Sequence, residues 1–189
     1  MTVPHSGEPS GYRPAPVRLV DPDPAWPAMF AAEAVRIRAA LGDRVAALEH
    51  VGSTAVPGLR AKPVIDILAA VHDECRLDDV VGRLAGIGYL YTPEAERDDP
   101  SRRVFRKGPA DMALPRTHHL HLAERDGHYW RRLMAFRDRL RAHPEEAAAY
   151  VALKERLAAR FAGQSRRYTA GKHDFVAAAE AAAGITPRR

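Results

Sequence analysis

The chain has 189 residues, a single cysteine, a formal charge of +5 and a pI of about 9.6, so one domain is expected and an intramolecular disulfide is excluded. Its longest apolar run, Val64 to Val71 interrupted by Asp66, is far short of the ~20 residues a membrane span needs. The N-terminus lacks the apolar segment of a signal peptide, and the lone thiol, Cys75, suits a reducing compartment, so a soluble cytoplasmic protein is expected.

In chain order, residues 1–16 read as a flexible tail, and 17–185 as one domain with no internal repeat. Val17–Val20 suggests a short strand. Asp23 is a candidate N-cap with Pro24 at the first helical position. Trp26, Met29, Phe30, Ala34, Ile37 and Leu41 then recur at helical spacing up to Gly42. Val45–Val51 reads as a strand, followed by a loop from Gly52 to Lys62. Pro63–Val71 is the strongest strand, apolar on both faces as a covered interior strand should be. Asp78–Ile87 is an amphipathic helix closed by Gly88, and Tyr89–Tyr91 a short strand. Arg102–Arg106 and Thr117–Leu122 read as further strands with a turn around Gly108-Pro109. Helices are expected over Gly127–Ala142, Pro144–Ala162 and Thr169–Ala183. The pattern is α+β (α/β mixed): a mixed β-sheet core with flanking helices and an α-helical C-terminal third.

Four features carry chemistry. Gly52-Ser53-Thr54 follows a strand directly, and such a loop can bring a backbone, hydroxyls and N–H donors to a phosphate, although a plain turn has the same composition. Asp66 lies within the apolar strand Val64-Ile65-Asp66-Ile67-Leu68. A carboxylate there needs a metal, a ligand or a buried hydrogen-bonding partner, so Asp66 is the candidate catalytic residue and Lys62 a candidate counter-charge or phosphate contact. In Thr117-His-His-Leu-His-Leu122, His119 and His121 share one strand face, as a metal pair, phosphate donors or structural residues. Tyr150 with Lys154, and Tyr168 with Lys172, each stand four residues apart and could aim a phenol and an ammonium at one anion.

The segment His50-Val-Gly-Ser-Thr-Ala-Val-Pro-Gly-Leu-Arg-Ala-Lys-Pro-Val-Ile-Asp-Ile-Leu68 closely resembles the signature of the GrpB family. Asp23-Pro-Ala-Trp26 with Phe30 and Glu33, His119-Leu-His121, Phe136-Arg-Asp-Arg-Leu-Arg141 and the two Tyr/Lys pairs extend the resemblance over about residues 17–180. GrpB proteins are similar to the nucleotidyltransferase superfamily, of the polymerase-β type, and occur fused to dephospho-CoA kinase domains. The resemblance implies a nucleotidyltransferase-like fold and a nucleotide or other phosphorylated small molecule as partner. A divalent metal (Mg, Mn or Zn) would lie at Asp66, His119 and His121, with nucleotidyl transfer to an acceptor as the reaction. The superfamily's second carboxylate is missing, because Val64 and Leu68 stand two residues either side of Asp66. That departure supports an alternative, a non-catalytic nucleotide or coenzyme-A-related binding module on the same fold. Nucleic-acid binding is disfavoured: only 7% of residues are aromatic and no recognised motif is present.

Overall fold

A computed structural model describes residues 17–72, 77–97, 99–108 and 116–186. The expected tail, Cys75 and the turn beyond Gly108 lie outside the described residues. The elements are α1 (Trp26–Leu41), β1 (Val45–Val51), β2 (Ile65–Val71), α2 (Leu77–Ala85), β3 (Tyr89–Tyr91), β4 (Arg102–Lys107), β5 (His118–Ala123), α3 (His128–Ala142), α4 (Pro144–Arg160), α5 (Ser165–Ala170) and α6 (His173–Ala182). The strands form one mixed sheet, ordered β1-β2-β5-β4-β3, in which only β2 and β5 pair in parallel.

The double-sided apolarity of β2 follows from its covering on both faces. Ile65, Ile67 and Ala69 pack with Ile37, Leu41, Val80 and Leu84 of α1 and α2, whereas Leu68 and Ala70 pack with Tyr129 and Trp130 of α3. A third apolar cluster joins Val56 and Leu59 of the β1–β2 loop to Phe136, Leu140 and Tyr150, and so seats the loop on the C-terminal helices. Among the described residues no helix is long and apolar enough to cross a membrane.

Three expectations shift. Val17–Val20 supplies a single bridge, Val20 to Ala61, because the Val17 N–H turns away to Ala162. Asp23 accepts from the Ala25 N–H at 2.8 Å and shapes the turn ahead of α1, which starts at Trp26. The helix expected over Thr169–Ala183 is two helices. At the joint, a Cβ on Gly171 would meet Leu157 Cδ2 at 2.5 Å, so α5 and α6 rest closely on α4.

Helical spacing also conceals a charge in the core. Glu33 of α1 is 3% exposed and accepts a hydrogen bond from Lys107 of β4 at 2.7 Å. Lys107→Met strands a buried carboxylate and should cost about 2 kcal/mol in denaturant unfolding. The double variant Glu33→Leu/Lys107→Met should recover most of that loss, and simple addition of the two single costs would contradict the pairing.

Candidate functional site

The site lies where β1 ends and the parallel strands β2 and β5 begin. Register pairs Val51 with Asp66, and Asp66 with His119, so neighbouring side chains point to one face. Period-two alternation places His121 on that face and buries Leu120 and Leu122 on the other, as the sequence indicates. Across β5 the next strand contributes Arg106 opposite His119, and Val104 opposite His121.

Asp66 is a half-buried carboxylate, its side chain 30% exposed, and its Oδ1 accepts a hydrogen bond from His119 Nδ1 at 3.1 Å. Burial pushes the carboxyl upward. The His119 hydrogen bond, with the Lys62 ammonium nearby, more than offsets this and holds it below the usual carboxylate range. Its other oxygen faces Gly52, where φ is +70°. A Cβ there would come within 3.0 Å of Asp66 Cβ and Cγ, with Oδ2 closer still. Glycine is therefore required twice, for the backbone conformation and for the approach of the carboxylate.

His121 is held differently. Arg102 Nη1 donates to the Tyr129 hydroxyl at 2.7 Å, and that hydroxyl is hydrogen-bonded to His121 Nδ1 at 3.1 Å. Burial takes the His121 pKa down to about 3, against the raising effect of Asp66. The imidazole is thus held neutral. Arg102, Arg106 and Tyr129 escaped the sequence reading. Arg102 and Arg106, four apart in Arg102-Arg-Val-Phe-Arg106, fall on one strand face, but nothing local shows which strand lies beside them.

The loop from Gly52 to Lys62 is fixed from beneath. Arg137 donates to His50 O at 3.0 Å, and Arg141 donates twice to Ala55 O, at 3.0 and 2.7 Å. Lys154 donates to Ser53 Oγ at 3.2 Å and to Arg60 O. Thr54 is buried and bonded to His50 Nε2 at 3.0 Å and to Val64 O at 3.3 Å, so its hydroxyl supports the loop rather than facing the cleft. Tyr150 and Tyr168 are likewise buried, and Lys154 is 2% exposed. These three pack beneath the loop, whereas Ser53, Lys62, Lys172, Asp66, His119 and His121 are half-buried.

Each tyrosine meets its lysine through the ring rather than beside it at an anion. Lys154 Nζ lies 4.8 Å from the Tyr150 ring centroid, and Lys172 Nζ 5.0 Å from that of Tyr168. Lys62 Nζ reaches the same Tyr168 ring at 5.2 Å. Burial, aided by Lys172, pushes the Lys154 ammonium down to about 7. Burial, aided by Lys62, takes Lys172 to about 8.

A resident divalent metal fits this donor set poorly. Asp66 Oδ1 and His119 Nδ1 are engaged with each other, and His121 Nδ1 is engaged by Tyr129. Among the described residues, the group of three side chains with metal-ligand atoms within 4.8 Å of one another is His143, Glu145 and Glu146, at the start of α4. Lysines at 62, 154 and 172 would also repel an incoming cation.

Residues 16–182 match the GrpB protein family. A UPF0157 protein of Pseudomonas aeruginosa is 44% identical over 167 residues, covering 85% of this chain and 65% of that protein. A protein of Mycolicibacterium paratuberculosis named dephospho-CoA kinase is 34% identical over 182 residues, covering 85% of this chain and 44% of that protein. The crystal structure of conserved protein GrpB from Enterococcus faecalis is similar with a TM-score of 0.78 and 35% identity, over 88% of this chain and 96% of that one. The chain belongs to the GrpB family.

Proposed function

We propose that the cleft binds a nucleotide or another phosphorylated ligand. One observation supports this reading: Ser53, the Asp66–His119 pair, His121, Lys62 and Lys172 cluster at one end of the sheet. Clefts dominated by one sign of charge concentrate ligands of the other sign. Nucleotidyl transfer has less support. The position two residues beyond Asp66 is Leu68, fully buried in the core, so no second carboxylate joins the first. The mycobacterial relative's name adds coenzyme-A-type nucleotides to the ligands worth testing.

Calorimetric titration with ATP, GTP, CTP, UTP and coenzyme A, with and without magnesium or manganese, tests the proposal. At least one should bind with a Kd below about 100 μM, and Lys62→Gln should weaken it about tenfold. If none binds below about 1 mM under either condition, the reading fails.

A further inference from the structure

The cleft holds like charges that the protein leaves poorly compensated. Lys62 is opposed by Arg106, Lys154 by Lys172 and Lys62, and Lys172 by Lys62. Among the described residues, Asp66 is the carboxylate acting on Lys62 and on Lys172, and it is already shared with His119. Glu155, the carboxylate acting on Lys154, is hydrogen-bonded to Arg60. The Lys62 and Lys172 ammoniums both lie close to the Tyr168 ring, 5.2 and 5.0 Å from its centroid, and an anion of more than one charge would relieve their repulsion. His121 adds an imidazole on the same face, with Nδ1 bonded to Tyr129 and Nε2 left to meet a ligand.

Resting on the reading that this cleft takes a phosphorylated ligand, we propose that it binds the pyrophosphate group of a di- or triphosphate as a free polyanion, without a divalent ion. Lys62, Lys172 and His121 Nε2 are the contacts, and the Ser53 loop forms the floor. Asp66 fixes His119 rather than a metal. A single phosphate could neutralise one ammonium, whereas two linked phosphates reach both. A magnesium-complexed pyrophosphate would bring fewer free charges and a cation that the lysines oppose.

The test is calorimetric titration of the full chain with sodium pyrophosphate and with inorganic phosphate, first in EDTA and then in magnesium. In EDTA, pyrophosphate should bind about tenfold tighter than phosphate, and magnesium should weaken the apparent affinity by competing for the anion. Lys172→Gln should weaken pyrophosphate binding about tenfold, with circular dichroism confirming the fold. Asp66→Asn removes the opposing charge, keeps an acceptor for His119 and should tighten binding about threefold. Binding that requires magnesium or manganese and is lost in Asp66→Asn would overturn the metal-free proposal and leave the phosphorylated-ligand reading intact. Failure of pyrophosphate and of every nucleotide to bind under either condition would remove that underlying reading as well. Weak binding unchanged by Lys172→Gln would mean attraction to the basic surface at large, and would also overturn the proposal.

Discussion

Gly52→Ala should lower the stability of the protein by about 3 kcal/mol and weaken ligand binding more than tenfold. Two independent effects act together. With φ at +70° and ψ at −168°, Gly52 occupies a region open to glycine and strained for any residue with a Cβ. The added methyl would also strike the Asp66 carboxylate, so either the loop or the carboxylate must move. Asp66 is tied to His119 and sits in an interior strand, so the loop is the part that yields. Displacing it strains Lys154–Ser53 and the Arg137 and Arg141 contacts with loop carbonyls. Chemical denaturation gives the stability change, and nucleotide or pyrophosphate titration gives the binding change. Wild-type values in both would show that the close approach of Gly52 and Asp66 has no consequence.

The second large effect is on pH. A lysine whose folded pKa is depressed binds fewer protons in the folded state than in the unfolded one, so stability rises with pH between the folded and unfolded values. For Lys154 that window runs from about 7 to the ordinary 10.5, and for Lys172 from about 8. The unliganded protein should therefore gain stability from pH 7 to pH 10, on the order of 4 kcal/mol from Lys154 alone. Lys154→Met should flatten that rise. A bound polyanion favours the charged ammoniums, so binding takes up protons and weakens above about pH 8. Denaturation at pH 7 and pH 9.5, with and without pyrophosphate, should show the two trends in opposite directions. Stability that is flat or falling between those values in the free protein would contradict the buried, mutually repelling lysines. Below pH 6.5 the buried imidazoles act in the same sense. His50 and His121, depressed to about 4 and 3 chiefly by burial, contribute stability that is lost as the pH falls through those values.

Much of this arrangement was legible in the sequence because it depends on local periodicity. Alternation along Ile65–Val71 and His118–Ala123 fixes which side chains share a face, and a carboxylate inside an apolar strand marks itself. The spacing of Tyr150 with Lys154, and of Tyr168 with Lys172, shows that each pair shares a helical side, but not that the ammonium meets the ring of a buried tyrosine. Pairings between distant segments were not legible. Arg102 and Tyr129 meet His121 only because β4 lies beside β5 and α3 begins just past it. Similarly, Thr54, Tyr150 and Tyr168 have the right chemistry for an anion, but packing of the loop on α3 and α4 buries them. The break between α5 and α6 falls at Gly171, which caps α5 and lies against Leu157, fourteen residues away in sequence, a contact local periodicity does not show.

The most direct measurement is a crystal structure of the protein grown with pyrophosphate in EDTA. The account predicts the anion in the cleft, within hydrogen-bonding distance of Lys62 Nζ, Lys172 Nζ and His121 Nε2, with Asp66 still paired to His119. An empty cleft with the anion bound on another face of the molecule would contradict it.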